Sequence, residues 1–247
     1  MLSHKKISNK NNQTYLKKEL IQLIYENYYR IIKKNIYNKK SLPIFEFGSG
    51  GNNIKKIIPN CIVTENFKTK NIDRIENIYK INCKNNSISN IILIDVFHHL
   101  EFPGLALSEI NRVLVKNGRL IMIEPAMGLI PRIIYKMFHY EPNGFNLNIK
   151  WDKIPSKIPK PKEYFAAQSL PWRAFFLKEL NLKKFRIKII KPFSDFAFLL
   201  SGGYSYRSLY PHTFYPFIKY VDKILTFLSI RIFSGRMLII LENKNYK

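Results

Sequence analysis

Between residues 44 and 125 the chain alternates short apolar runs with segments of helical period, and that alternation leaves few folds open. Residues 44–47 read as a strand running into Gly48-Ser49-Gly50-Gly51, followed by a helix through Ile58 that Pro59 stops. Residues 61–64 form a second strand ending at Glu65, and residues 72–78 a weak third. A strongly apolar fourth strand, 90–94, leads into Asp95-Val96-Phe97-His98-His99. Residues 103–115 carry Leu105, Leu107, Ile110, Val113 and Leu114 at helical spacing, Asn117-Gly118 closes that helix, and 119–124 is a fifth strand. Strands that are apolar throughout are buried on both faces. The expectation is an α/β fold whose parallel sheet lies between two helical layers.

The flanks differ in texture. The first dozen residues are polar and read as loose, and a helical period then runs over 15–37, with Leu16, Leu20, Ile24, Ile31 and Ile32 on one side. This helix reads as a packing or lid element, with a basic amphipathic membrane anchor as the second reading. Past the fifth strand, 175–182 looks like a helix end, 185–191 a sixth strand and 235–242 a seventh. Two long non-strand segments, 126–172 and 192–234, separate these pieces, and the second is dense in aromatics. Connections of that length suit lids or substrate walls. The whole chain, 1–247, reads as one domain, with a site-forming half over 41–125.

The 247 residues are 46% hydrophobic, which excludes a disordered chain. Lys and Arg total 41 against 17 Asp and Glu, a net charge of +24 that invites nucleic acid or an anionic membrane. The excess is mostly Lys, however, and comes with many Ile, Asn, Tyr and Phe, which share A/T-rich codons. Cys61 and Cys83 are too few for a disulfide scaffold or a four-cysteine zinc site, and no metal site is assigned. The start lacks an apolar signal core, and 214–233 is broken by Lys219, Asp222, Lys223 and Arg231, so it should not span a bilayer. The expectation is a cytoplasmic protein, with peripheral contact to an anionic membrane kept open.

The turn after the first strand reads Glu46-Phe47-Gly48-Ser49-Gly50-Gly51-Asn52-Asn53. A dinucleotide fingerprint needs a third glycine where Asn53 stands. An acidic residue two before a tight Gly-Ser-Gly turn suits a cofactor with an amino group and no phosphate, and S-adenosylmethionine is one. Glu65, at the end of the second strand, can accept both ribose hydroxyls.

The runs FEFGSGG, IDVFHHLEFP and SEINRVLVKNGRLIMIEP, in this order, resemble the class I, Rossmann-like SAM-dependent methyltransferases, specifically the methyltransferase type 11 family. The resemblance covers roughly 44–125, and the segments 138–142, 170–172 and 199–211 look like a bacterial subgroup of such enzymes. It implies a mostly parallel seven-stranded sheet with the last strand antiparallel. It assigns Glu46, Gly48, Ser49 and Gly50 to the methionine end, Glu65 to the ribose, and Asp95 and Phe97 to the methionine and sulfonium region. Where the family often holds adenine with an acidic residue after strand three, this chain offers Asn77 or Asn82. The reaction implied is in-line methyl transfer, in which positioning and desolvation do much of the catalysis.

An oxygen nucleophile also benefits from a base titrating near neutrality, and the candidates are His98, His99 and His139, the last beside Glu141. The leading reading is transfer to a small-molecule acceptor, an oxygen of a lipid-, glycan- or natural-product-like compound. The alternatives are a nucleic-acid methyltransferase and a non-catalytic binding protein of the same fold. Nucleic acid is disfavoured because strand four ends in Asp95-Val96-Phe97-His98 rather than an Asn/Asp-Pro-Pro-aromatic turn, and no RNA-binding module is visible. Oligomeric state is left open.

Overall fold

In the computed structural model the apolar runs become β1 (Ile44–Phe47), β2 (Cys61–Glu65), β3 (Arg74–Ile75), β4 (Ile88–Ile94), β5 (Leu114–Pro125), β6 (Phe185–Ser194) and β7 (Ser234–Asn243). The structure describes residues 4–39, 41–50, 54–139, 141–157 and 165–244; Gly51, Asn52 and Asn53 of the glycine turn lie outside them. The strands form one sheet in the order β3-β2-β1-β4-β5-β7-β6. The β2–β3, β1–β2, β1–β4 and β4–β5 pairs are parallel, and β7 runs antiparallel to both β5 and β6. The chain winds outward from β1 to β3 and then returns to β4 beside β1. That reversal opens a crevice at the carboxyl ends of β1 and β4, where ligands of open α/β sheets bind.

Successive strand side chains point to opposite faces, and both faces are covered. Ile91, Leu93, Leu120 and Met122 join an apolar cluster with Ile110 of α3 (Pro103–Val113). Ile92, Ile94, Ile121 and Ile123 face the other way, against Ile24, Tyr28 and Tyr29 of α2 (Glu19–Lys33). This is why β4 is apolar at consecutive positions: all seven of its residues are buried.

Several local expectations are corrected. The polar start is helical, α1 (His4–Lys17), and extended backbone at Lys18 (φ −115°, ψ 92°) separates it from α2. That break resets the helical phase, so Leu16 is exposed while Tyr25, Tyr28 and Tyr29 are buried. The Lys18 ammonium donates to the carbonyls of Gly203 (2.7 Å) and Tyr206 (2.9 Å), tying the break to the second insertion. Among the described residues, the helix expected after β1 is only the 3-10 turn Ile54–Lys56. The expected third strand shrinks to two residues. Helix α3 ends at Val113, and Asn117-Gly118 is a bend inside β5, with Asn117 at φ +63°. The helix end expected over 175–182 is a π-helical turn, Trp172–Phe176.

The first insertion carries α4 (Leu129–Phe138), and the second carries α5 (Phe196–Leu200), α6 (Tyr215–Leu228) and α7 (Ile230–Phe233). The carboxylate of Asp222, in α6, accepts from the backbone N–H of Phe196 (2.7 Å) and Ala197 (3.2 Å) and from Ser194 Oγ (2.7 Å). It thereby caps the start of α5 from another helix. Asp222→Ala leaves those buried donors unpaired and is expected to lower stability by about 3 kcal/mol in urea unfolding. A loss below about 1 kcal/mol would contradict that role.

Candidate functional site: a cavity at the carboxyl ends of β1 and β4

A cavity of about 320 Å³ occupies the crevice, lined from the sheet by Gly48, Gly50, Glu65, Asp95 and His98. Ile7, Ser8 and Asn11 of α1, Tyr135 and Phe138 of α4, and the segment 202–206 complete its walls.

The glycine turn is dictated by its neighbours. Gly48 and Gly50 have φ +65° and +58°, values that side chains disfavour. A Cβ on Gly48 would lie 2.6 Å from Val96 Cγ2, so the turn packs flat on the segment after β4. The Gly50 N–H donates to Glu65 Oε1 at 2.8 Å. Burial raises the Glu65 carboxyl, while the N–H groups of Gly50 and Asn66 oppose that rise. Glu46 does not line the cavity. Its strand position points it to the α2 side, where burial first, and then the Glu65 charge, lift its carboxyl well above the usual range. Tyr29 opposes that rise, and among the described residues no hydrogen bond within normal distance reaches the buried Oε2. Ser49 is also buried behind the turn.

The segment after β4 hangs on Glu124, near the end of β5. Its Oε1 accepts the N–H groups of Val96 (2.8 Å) and Phe97 (2.7 Å), and its Oε2 lies 2.9 Å from His98 Nδ1. Asp95 sits at φ +56°, with its carboxylate accepting Tyr25 Oη (3.0 Å) and paired with Arg236. Phe97 turns into the core against Phe175, ring centroids 5.0 Å apart, and does not line the cavity. The chain leaves the strand for the 3-10 turn Phe97–His99, which sends Phe97 inward while Asp95 and His98 face the crevice.

The three histidines gather around one buried carboxylate, Glu141. Its oxygens lie 3.7 Å from His98 Nε2, 4.0 Å from His99 Nε2 and 4.0 Å from His139 Nδ1, and Gln168 Nε2 donates to it. Their protonation differs. Burial pulls the His98 pKa down, but its bonds to Glu124 and Glu141 outweigh this and raise it to about 10. His98 is thus an imidazolium at neutral pH. Burial lowers the His139 pKa, and His139 Nδ1 accepts the Glu141 N–H at 3.1 Å, which places the proton of the neutral ring at Nε2. His99 Nδ1 faces the Phe165 carbonyl at 2.9 Å. A carbonyl can only accept, so Nδ1 carries the hydrogen.

Sequence reasoning missed Arg236, Glu124, Tyr25 and Glu76. Arg236 is a fully buried guanidinium on β7, between Asp95 and Asp195. Asn82 is exposed and away from the cavity, whereas Glu76 and Asn77 line it. Glu76 was hidden because the third strand was drawn through it; β3 ends at Ile75, so the acid stands directly after the strand. Among the described residues, His98, His99 and Glu141 offer metal-ligand atoms within 4.8 Å of one another, as do Asp95, His98 and Glu124.

Residues 58–122 match the model of a family described as a methyltransferase domain. A search of curated proteins gave no match. Among solved structures, a SAM-dependent methyltransferase from Thermotoga maritima, described as a possible histamine N-methyltransferase, superposes with a TM-score of 0.54. It shares 12% identity, with 97% of each chain covered. The YcgJ protein from Bacillus subtilis aligns at 13% identity and TM-score 0.49, covering 90% of this chain and 100% of that one. A SAM-dependent methyltransferase from Methanosarcina mazei aligns at 12% identity and TM-score 0.48, covering 86% and 96%. The chain thus has the Rossmann-like fold of that methyltransferase structure, and its residues 58–122 are similar to a methyltransferase domain.

The residues present fit S-adenosylmethionine. Gly48 and Gly50 line the cavity from a positive-φ turn, and Asn53 stands where a pyrophosphate site has its third glycine. Glu65 brings a carboxylate to the end of β2, and the cavity carries both an acid and a guanidinium, Asp95 and Arg236, for a zwitterionic amino-acid end.

The elevated His98 pKa has a stability consequence. A group raised on folding contributes fully below its unfolded pKa of about 6.5 and loses that contribution as pH rises through the folded value. Stability should therefore decline between pH 6.5 and about 10, and His98→Gln should flatten that decline. An identical pH profile in the variant would contradict the assignment.

Proposed function

We propose that the enzyme methylates an oxygen of a small, partly apolar acceptor held in the same cavity, beyond Asp95 and His98. The observation that carries this reading is the far wall. It is built from Tyr135 and Phe138 of α4 with Phe198, Tyr204 and Tyr206 of the second insertion, and it continues the cavity that holds the glycine turn.

When bound, S-adenosylmethionine supplies a methyl group already activated by its sulfonium charge. The chain's own groups would divide the rest of the work. Gly48 and Gly50 let the backbone approach the amino-acid end, Asp95 and Arg236 offer opposite charges to it, Glu65 receives the ribose hydroxyls, and Glu76 with Asn77 borders the base. His99 lines the cavity with its Nδ1 hydrogen directed at the Phe165 carbonyl, and it is the imidazole assigned to receive the acceptor's hydroxyl proton. His98, held charged by Glu124 and Glu141, fixes the turn rather than acting as a base. His139 carries its proton at Nε2 and would donate to the acceptor. Aromatic walls also exclude water from a displacement that needs little more than alignment.

Calorimetry with S-adenosylhomocysteine should show binding, weakened about tenfold or more by Gly48→Ala and by Glu65→Ala, each the loss of about 1.4 kcal/mol or more. No binding by the unaltered protein would contradict the reading. With labelled methyl donor, transfer should occur to apolar alcohols or phenols and not to RNA. His99→Gln should lower kcat with little change in cofactor affinity. Transfer to RNA would overturn the acceptor assignment.

A further inference from the structure

Helix α6 is inside out. The one residue it buries is an acid, Asp222, whereas Phe217, Tyr220, Leu228 and above all Phe227, 90% exposed, face solvent. Water-facing helices normally show the reverse pattern, and a contiguous apolar patch marks an interaction surface. The patch does not stop at α6. Helix α7 packs against both α6 and α4, and α4 adds Leu129, Ile133 and Met137, all exposed.

The charge on this face is of one sign. The exposed charged side chains of the three helices are Arg132, Lys136, Lys223 and Arg231, with Lys219 half-buried, and the acid among them, Asp222, is the buried one. Apolar side chains interspersed with cations, and no exposed acid, match a bilayer surface containing anionic lipid, where both groups are satisfied at once. Among the described residues no helix is long and apolar enough to cross a membrane. At fourteen residues α6 spans roughly 21 Å, short of the ~30 Å hydrocarbon core, and is suited to lie in the interface plane.

We propose that the α4–α6–α7 face docks on anionic lipid bilayers and sets the cavity mouth against the membrane. The face and the mouth are continuous. Phe138, the exposed last residue of α4, also lines the cavity, and Tyr206 Oη, from the opposite wall, donates to the Phe138 carbonyl at 2.9 Å. An acceptor with a lipid tail could then stay in the bilayer while its polar end enters the cavity. Docking itself rests on the surface alone and does not depend on the acceptor atom.

The test is co-sedimentation of the full chain with vesicles of phosphatidylcholine alone or mixed with phosphatidylserine. Binding to the mixed vesicles is expected to be about tenfold or more tighter than to neutral ones, and weaker in high salt. Phe217→Glu and Phe227→Glu should each lower it by about tenfold or more while S-adenosylhomocysteine affinity, which reports the fold, stays unchanged. Failure to bind anionic vesicles, or equal binding by the variants, would overturn the proposal. So would a dimer in solution that Phe227→Glu dissolves, because a second copy would then cover the face.

Discussion

A guanidinium buried in the sheet is the charge around which the site is assembled. Arg236 on β7 is almost wholly buried at the wall of the cavity, and a buried cation is tolerable only among carboxylates and polarisable rings. Asp95 meets it from the turn after β4, Asp195 from the end of β6, and the rings of Phe198 and Tyr28 lie 4.3 and 5.8 Å from its carbon. Burial acts to lower the arginine pKa, but Asp95 together with Tyr28, Tyr135 and Tyr25 outweighs it and holds it well above the ordinary value. Helix α2 then closes on the same charges, with Tyr25 donating to Asp95 and Tyr28 to Asp195. Three distant segments, the turn after β4, the β6–α5 junction and α2, therefore converge on one side chain of β7.

A second electrostatic unit stands across the turn. Glu124 holds the backbone of Val96 and Phe97 and shares the His98 imidazolium with Glu141, so the first insertion is tied to the same turn. Asp95 is fixed between the two units, which explains how a non-glycine residue is kept at φ +56° beside the cavity. Asp195 sits further from solvent, and burial lifts its carboxyl to about 6 despite the nearby Lys219 and Arg236. The two insertions are thus anchored by charge at the site and present apolar surface elsewhere.

Much of this was legible from the chain. Continuous apolar runs fixed the parallel strands because period-two burial on both faces leaves no polar position. Gly48, Gly50 and Glu65 could be found because a positive-φ turn and a strand-end acid leave local signatures. Arg236 left none: an arginine in Gly235-Arg236-Met237 reads as the solvent face of a strand, and its partners lie far away in sequence. Glu124 was visible as part of a Glu-Pro motif, but its role depends on β4 and β5 lying side by side. Glu76 was lost to a strand boundary drawn a few residues too far. The polar run that became α1 has weak helix formers in Asn and Ser, and tertiary contacts decide its state.

The central claim, that the Arg236–Asp95 pair organises the site, is tested most directly by a double-mutant cycle in urea with Arg236→Met, Asp95→Asn and their combination. Arg236→Met alone strands buried carboxylates and is expected to cost about 3 kcal/mol or more. The combined variant is expected to fall short of the summed losses by more than about 1 kcal/mol. Losses that add to within about 0.5 kcal/mol would show that the two side chains act independently and would contradict the account.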